Sequence, residues 1–379
     1  MRVIAVFGVW VALFGGLGAE VVYVASANKG IFELNLDVET GRISNALQAG
    51  DTYPAGFLAA HPERRLLFST MAMRERNPSG AVVVYRIGKE GWLRELDAAL
   101  TDGSGTCHVS LDATGEVVLA ANYGTGSIAS FLLKEDGTLG EAVSTHQHEG
   151  SSVNEYRQSG PHPHWIGVGP RNKFVYVPDL GMDEVVVYAL NATTAELTPV
   201  SSAKVAPGAG PRHMKFSKDG KFAYVLNELN LTVTVFLVNE ETGGLSEVKV
   251  VSAVPKDFDK LNLSCSEIRV HPNGKFVYCG VRDLNTRGES VVGRNSLSIF
   301  AVQEDGTLKR IHTRSALVSI PRNFGIDPTG RWLLVAGQGS DNVQVFQIGE
   351  DGLLRKKGLP VTVPRPRCIE FGASGTLPN

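Results

Sequence analysis

One structural unit recurs seven times along the 379-residue chain. Each copy has an apolar strand, a short turn that usually contains Gly, a strand of the type [KR]-aromatic-x-[YL]-V, a strand of the type V-x-V-[FY], and a G-x-L turn. The clearest copy is RHMKFSKDGKFAYVLNELNLTVTVFLVNEETGGLSEV, which begins at Arg212. Apolar runs with period two and many β-branched residues predict strands and exclude a helical solenoid.

An aromatic residue or a leucine marks the same place in the second strand of every copy, and successive markers lie 45 to 57 residues apart. The markers are Tyr23, Phe68, Leu119, Tyr176, Tyr224, Tyr278 and Leu334. A period of this length is typical of a four-stranded propeller blade with loops of variable length. The seven copies therefore predict an all-β, seven-bladed β-propeller.

The two ends of the chain indicate how the ring closes. The first copy, EVVYVAS at Glu20, lacks its opening strand, whereas the C-terminal PRPRCIEFG has the pattern of an opening strand alone. A propeller whose last strand completes the first blade has this offset and leaves no open sheet edge. We therefore expect PRCIEFG to be the innermost strand of the first blade, within a single propeller domain over residues 20–379.

Residues 1–19 are predicted to be a signal peptide. Met1 and Arg2 precede an uncharged apolar stretch from Val3 to Leu17, which is short for a membrane-spanning helix. Cleavage would export the chain to the periplasm or the medium without a membrane anchor, whereas an uncleaved chain would be cytoplasmic. An uncleaved anchor and a buried first strand are the alternatives for this segment.

The net charge limits the possible partners of the protein, and the cysteine content limits its possible disulfides. The formal net charge of -2 provides no basic surface for nucleic acid or anionic lipid. Four cysteines are too few for a disulfide scaffold of this size. Cys265 and Cys279 flank one turn almost symmetrically, so a bridge is geometrically conceivable after export, but two reduced thiols are the commoner outcome.

The repeat also predicts which side chains meet at one end of the blades. In five copies the first two strands flank a turn centred on Gly115, Asn172, Gly220, Gly274 or Gly330. Because the strands are antiparallel, residues equally far before and after the centre share a rim. Eight residues before the centres, and at the matching place in the closing strand, stand Cys107, His164, Arg212, Ser266, Arg322 and Arg367. Eight residues after them stand Tyr123, Leu180, Glu228, Arg282 and Gln338.

Arginine recurs at this predicted rim. Inner-strand ends are crowded near a propeller axis, so charged residues there should converge on one pocket mouth. Arg212, Arg322 and Arg367 each follow a proline, and a planar guanidinium suits a carboxylate or a phosphate. The arginines therefore predict a small anionic ligand, although each could instead bond loop carbonyls.

Glu228 is the one carboxylate at the predicted rim, opposite Arg212. Ion pairing favours its ionised form and desolvation opposes it, so an acid or base is one interpretation and a structural Arg–Glu pair is the other. His162 and His164, in GPHPH, offer only two metal ligands, and no acidic residue stands at a spacing that would complete a site. We therefore predict neither a metal nor a cofactor.

These stretches resemble the seven-bladed propeller lactonases, a family that includes bacterial 6-phosphogluconolactonase and fungal 3-carboxy-cis,cis-muconate lactonizing enzyme. The resemblance covers the whole chain after the leader and is carried by GPRHMKFSKDGKFAYVLNELNLTVTVF, HEGSSVNEYRQSGPHPH and PRNFGIDPTGRWLLVAGQGSDNVQVF. It implies a metal-independent active site that consists of His164, Arg212, Glu228 and Arg282.

The resemblance also implies a function, which is the hydrolysis of a sugar-type lactone such as 6-phosphoglucono-1,5-lactone. We expect Glu228, together with His164, to activate water, and Arg212 and Arg282 to stabilise the oxyanion. The residues expected to bind the substrate are His162, Asn227, Arg322, Gln338 and Arg367. The partner is then a small anionic molecule and the protein a monomer. A lactonising cycloisomerase that acts on a muconate and a non-catalytic surface-repeat propeller are the alternatives.

Overall fold

The computed structural model describes residues 19–71, 79–285 and 294–372. The predicted signal peptide lies outside these ranges except for its last residue, Ala19. Within them the regular elements are all β-strands, and no helix is long and apolar enough to cross a membrane.

The strands form seven four-stranded antiparallel sheets, each one blade. Blade 1 has β1 (Ala19–Ser26), β2 (Gly30–Asp37) and β3 (Leu47–Gln48), and blade 2 has β4 (Leu58–Ala60), β5 (Leu66–Met71), β6 (Ala81–Ile87) and β7 (Leu93–Leu100). Blade 3 has β8 (Thr106–Leu111), β9 (Val117–Asn122), β10 (Ser127–Leu132) and β11 (Ser144–Gln147). Blade 4 has β12 (Gly167–Val168), β13 (Phe174–Asp179), β14 (Glu184–Leu190) and β15 (Leu197–Lys204).

The remaining blades follow the same order. Blade 5 has β16 (Pro211–Phe216), β17 (Phe222–Asn227), β18 (Thr232–Val238) and β19 (Leu245–Ser252). Blade 6 has β20 (Leu263–Val270), β21 (Phe276–Asp283), β22 (Ser296–Val302) and β23 (Leu308–Ser315). Blade 7 has β24 (Pro321–Ile326), β25 (Trp332–Gly337), β26 (Asn342–Ile348) and β27 (Leu354–Thr362), and β28 (Pro366–Phe371) follows it.

The ring closes through β28, which is the innermost strand of blade 1. It pairs antiparallel with β1, where Ile369 lies opposite Val24 and Cys368 lies opposite Ala25. On either side it contacts β24 of blade 7 and β4 of blade 2, which are innermost strands as well. The predicted fold and its closure by the C-terminal strand are therefore confirmed.

The seven marker residues of the second strands are buried. Three of them reach into the next blade, where each tyrosine hydroxyl donates a hydrogen bond of 2.8–3.1 Å to the carbonyl of a G-x-L turn: Tyr23 to Gly91, Tyr224 to Gly306 and Tyr278 to Gly352. A buried carbonyl needs such a partner, so the aromatic marker and the turn glycine are two halves of one contact between blades.

Five innermost strands contain a β-bulge at the same rim. In blade 6 the register shifts between Cys265 and Ile268. In four other blades the register with the second strand shifts around one extra residue, and these residues are Cys107, Arg212, Arg322 and Arg367. A bulge interrupts the alternation of side chains and redirects the extra one. The bulges therefore direct side chains from several blades towards one end of the axis.

A truncation tests the closure. Ending the chain at residue 364 removes β28, which includes the buried Cys368 and Ile369. The edge of β1 and the core that these side chains cover are then exposed, so we expect aggregation or a Tm at least about 10 °C lower. Ending it at residue 372 leaves β28 in place and is the matched control. Differential scanning calorimetry compares the two, and equal melting curves would contradict the closure.

Candidate active site

A cavity of about 910 Å³ opens at the rim that carries the bulges. Part of its wall is apolar or small, and this part includes Tyr53, Pro54, Ala55 and Met71. The other part is polar and consists chiefly of Cys107, Tyr123, Arg157, His164, Glu228, Arg322 and Arg367. A cavity with a few converging polar groups is the usual form of a small-molecule site.

Glu228 is the carboxylate on this wall, and arginines contact both of its oxygens. Its Oε2 accepts a hydrogen bond of 2.8 Å from Arg212 Nε and lies 3.3 Å from Arg282 Nη2. Its Oε1 accepts a hydrogen bond of 2.8 Å from Arg157 Nη2. The side chain is only 6% exposed, so these ionic hydrogen bonds form with little competition from water.

The three arginines keep Glu228 ionised. Burial alone would raise the pKa of Glu228, but the charges of Arg282, Arg212 and Arg157, together with His164, outweigh burial and hold the pKa well below its ordinary value. The same crowding acts on Arg282, where burial and the charge of Arg212 lower the pKa to about 10 although Glu228 opposes them. At neutral pH Glu228 is thus a proton acceptor and not a donor.

His164 lies beside this cluster in its neutral form. Burial, followed by the charges of Arg212 and other neighbours, lowers the pKa of His164 well below its ordinary value. Its Nδ1 lies 3.8 Å from Cys107 Sγ. Its backbone N–H donates to the carbonyl of Pro178, and this bond holds the main chain of His164 at the end of blade 4. A neutral imidazole can both accept and donate a proton, so His164 is suited to contact a water molecule.

Arg322 and Arg367 line the cavity without an acceptor among the described residues. Burial lowers the pKa of Arg322 well below its ordinary value, and the charges of Arg212, Arg282 and Arg367 lower it further. Arg367 Nε is buried and forms no hydrogen bond in the described part of the chain. Two guanidiniums without a hydrogen-bond acceptor in the described ranges make this wall a candidate site for an anion.

Arg157 is a site residue that the repeat pattern does not predict. It belongs to the loop of residues 149–163, between β11 and β12, and its Nη2 also donates to the Tyr123 hydroxyl at 3.3 Å. Tyr123 stacks on His162, whose Nδ1 bonds the Tyr123 carbonyl at 2.7 Å. The only advance signal is HEGSSVNEYRQSGPHPH, where Arg157 stands within a stretch that resembles the family.

A second polar layer lies beneath the cavity. His213 Nδ1 is 3.0 Å from Glu267 Oε1, Asn323 donates to the other Glu267 oxygen, and the ring of His213 is 5.4 Å from that of His164 and 5.6 Å from that of His108. Four of these residues directly follow a predicted rim residue in the sequence, and they are His108, His213, Glu267 and Asn323. Their positions in the repeat are therefore a sequence signal for this layer as well. Across the described ranges no group of three His, Cys, Asp or Glu side chains is placed to hold a metal ion.

Comparison with known proteins identifies the family. The family model described as "Lactonase, 7-bladed beta-propeller" matches residues 21–371. The chain belongs to this family. It is 34% identical to 6-phosphogluconolactonase of Bacillus subtilis over 94% of this chain and 98% of that protein, and 31% identical to 6-phosphogluconolactonase of Serratia proteamaculans over 87% and 92%. The periplasmic gluconolactonase of Pseudomonas aeruginosa superposes with a TM-score of 0.85 at 28% identity, covering 94% of this chain and 100% of that one.

The structure of this lactonase-family chain brings the four expected catalytic residues together, but it corrects the position of two. Arg212 and Arg282 are 2% and 4% exposed and do not line the cavity. Beyond Glu228 they bond main-chain carbonyls, Arg212 that of Ser266 and Arg282 that of Cys265. Neither guanidinium lines the cavity in this structure, and their expected contact with a substrate anion stays a prediction.

The bulges also shift the pairing across the strands. Equal spacing predicts that Glu228 lies opposite Arg212, whereas the Glu228 N–H donates to the carbonyl of Gly210 at 2.7 Å. The N–H of Gln338 likewise bonds Ile320, two residues before Arg322. The rim is as predicted, but the register at Glu228 differs by two residues: the turn already pairs Lys215 with Tyr224, one residue off equal spacing, and the bulge at Arg212 adds one more.

Three of the residues expected to bind the substrate are placed elsewhere. Neither Asn227 nor Gln338 lines the cavity. The Asn227 amide donates to the hydroxyls of Thr232 and Thr234 within its own blade, because neighbours in a strand point to opposite faces. His162 supports Tyr123 from behind. Arg322 and Arg367 do line the cavity, and their role in binding stays a prediction.

All four cysteines are free thiols, which includes Cys265 and Cys279. The two lie on adjacent strands but in different pairs, Cys265 with Val281 and Cys279 with Ile268, because a bulge separates them. The reduced state expected from the sequence is the one observed.

Thiol chemistry tests the position of Cys107. Denatured, unreduced protein should titrate four thiols, and native protein only one, because Cys107 is partly exposed and the others are buried. Burial raises the pKa of Cys107 to about 11, so its reaction should quicken about tenfold per pH unit from pH 7 to 10. A Cys107→Ser variant is the control and should lose this native reaction. Two missing thiols after denaturation would indicate a disulfide.

Proposed function

We propose that this chain hydrolyses the 1,5-lactone of a phosphorylated aldonic acid, with 6-phosphogluconolactone as the reference substrate. The observation that carries the proposal is one ionised carboxylate on the wall of a cavity where two arginines lack a hydrogen-bond acceptor among the described residues. The family and the names of the relatives support the same reaction class. A non-catalytic surface-repeat propeller has no need of this charged wall.

Glu228 is the proton acceptor in the proposed reaction. Its Oε1 bonds Arg157, which lines the cavity together with Glu228, while Oε2 is held by Arg212 and Arg282. Oε1 takes a proton from a water molecule as the water oxygen bonds to the lactone carbonyl carbon, which leaves a tetrahedral oxyanion. The bond between that carbon and the ring oxygen then breaks, and the proton passes from Glu228 or through His164 to the departing ring oxygen.

The buried arginines and the cavity-lining arginines have different electrostatic roles in the proposed reaction. Arg212 and Arg282 orient Glu228, and their buried charges stabilise the oxyanion across a short distance without contacting it. Arg322 and Arg367 are on the cavity wall and bind the phosphate, or the carboxylate of a different substrate. A phosphate that bonds both arginines also supplies the counter-charge that they lack in the free protein.

A substrate screen tests the reaction and its main rival. Purified protein is offered 6-phosphoglucono-1,5-lactone, glucono-1,5-lactone and a carboxymuconate, and proton release or muconate absorbance is followed against the rate without protein. We expect the phosphorylated lactone to have the highest kcat/KM, because only its phosphate pairs with Arg322 and Arg367. Turnover of the muconate alone would assign the chain to the lactonising cycloisomerases instead.

Glu228→Gln tests the proton acceptor. The variant keeps the shape of the side chain but loses the charge, so kcat should fall by a factor on the order of 100 to 10,000. Stability should fall too, because three arginines lose their counter-charge. In the wild type, the low pKa of Glu228 keeps the carboxylate ionised below pH 4.5. The kcat/KM of the wild type should therefore begin to fall only at a pH lower than this.

The control for this experiment is Asp112→Asn. Asp112 is also a buried carboxylate, but it binds the turn between β8 and β9 at the opposite end of blade 3. Its loss should lower the Tm and leave turnover per folded molecule unchanged. Normal turnover by folded Glu228→Gln protein would contradict the assignment of Glu228.

The same proposal includes export. The apolar segment of residues 1–19 supports a cleaved leader, and the solved relative from Pseudomonas aeruginosa is described as periplasmic. Sequencing the amino terminus of the mature protein decides the point, since export predicts a start near residue 20 and retention predicts Met1.

A further inference from the structure

The two oxygens of Glu228 have different surroundings. Oε2 is contacted by Arg212 and Arg282, which are almost fully buried and which main-chain carbonyls also hold. Oε1 has a single cationic partner, Arg157, which lines the cavity. The side chain of Arg157 is 37% exposed, far more than that of either other arginine. Arg157 is therefore the one member of the group that borders both Glu228 and the cavity.

The backbone around Arg157 is fixed, but its guanidinium is not. The Arg157 N–H donates to the carbonyl and side-chain oxygens of Asn154, and the neighbouring Gln158 bonds the Leu180 carbonyl with its amide. Among the described residues the guanidinium bonds two side-chain oxygens, those of Glu228 and of the Tyr123 hydroxyl, which is 3.3 Å away. It can therefore rotate into the cavity while the loop stays in place.

An anion in the cavity competes with Glu228 for Arg157. Arg322 and Arg367 line the same cavity without an acceptor in the described ranges, so an anion drawn to them arrives within the same lining as Arg157. A phosphate dianion offers more charge and more acceptor oxygens than the single carboxylate oxygen that Arg157 now binds. Exchange of partners is then favoured by electrostatics and needs no change in the blades.

We propose that Arg157 determines specificity by leaving Glu228 Oε1 for the phosphate of the substrate, so that the group that marks the substrate also frees the base. This inference rests on the proposed lactone hydrolysis and deepens it. Arg157 acts on the rate of the chemical step through Glu228. A substrate without the anion can bind, but it meets Glu228 with Arg157 still in place.

The exchange changes the basicity of Glu228 in a known direction. The groups that face Glu228 are Arg212 from β16, Arg282 from β21, Arg322 from β24, Cys265 from β20, and Arg157 and His164 from the segment before β12; they are all cationic except the neutral His164 and the Cys265 thiol. Arg157 is one of the charges that lower the pKa of Glu228, so its departure raises that pKa and strengthens the base. Arg212 and Arg282 remain and keep the carboxylate ionised at neutral pH.

The test compares wild type with Arg157→Gln on phosphorylated and free glucono-1,5-lactone, after subtraction of the rate without protein. For wild type we expect a higher kcat, and not only a lower KM, on the phosphorylated lactone. In Arg157→Gln the ratio of the two kcat values should fall about tenfold or more, with kcat on the free lactone kept or raised. On the free lactone the acid limb of the kcat/KM profile should move up by about one pH unit.

A second measurement supplies the anion separately. Inorganic phosphate added to wild type should raise kcat on the free lactone, because phosphate in the cavity draws Arg157 from Glu228. The same phosphate should leave kcat of Arg157→Gln unchanged. Glu155→Gln is the matched control, since Glu155 is an exposed charged residue on the same loop, and this variant should keep the wild-type ratio and the response to phosphate.

Some outcomes overturn the inference alone. If Arg157→Gln keeps the wild-type kcat ratio, or loses kcat equally on both lactones with no change in its pH profile, Arg157 only supports the loop. Wild type that hydrolyses neither lactone would instead refute the proposed function itself. The two failures are thus distinguished by the wild-type rates.

Discussion

The β-bulges of the innermost strands are the constraint on which the site depends. In a regular strand, successive side chains point to opposite faces, so Arg212 and His213 could not both be directed at the axis. The bulge at Arg212 breaks this alternation, and the same break recurs at Cys107, Arg322 and Arg367. Repetition of one local irregularity around a closed ring places arginines from several blades at one mouth, with His213 and Glu267 forming the layer below.

Because several arginines converge at this mouth, their positive charge is only partly neutralised within the described ranges. Arg157, Arg212 and Arg282 share a single carboxylate, and Arg322 and Arg367 have no acceptor among the described residues. Buried cations without a counter-charge are unfavourable, so the free protein retains a deficit that an anionic ligand removes. The proposed affinity for an anion and the ionisation of Glu228 thus have one cause, which is an excess of guanidinium groups around one acid.

The sequence predicts most of the frame and part of the site, and the division has a physical basis. Blades, ring closure and rim follow from a periodic pattern, so Arg322 and Glu228 could be located from the turn centres, and Arg367 from the matching place in the closing strand. Neither the bulges nor the exact pairing at the turns is visible in that pattern, and together they shift the partner of Glu228 to Gly210. Burial of Arg212 and Arg282 behind Glu228 depends on side-chain packing, which spacing does not encode. Arg157 was missed because its loop lies outside the repeat.

The contrast between strand and loop residues explains how one site can combine a fixed base with a selective response. Arg212 and Arg282 stand on paired strands, which ladder hydrogen bonds hold in place around Glu228. A position that must change partners is poorly served by either of them, because their guanidiniums also bond main-chain carbonyls. It can be built on a loop whose backbone is fixed by residues such as Asn154 and Gln158 while the side chain stays free to turn.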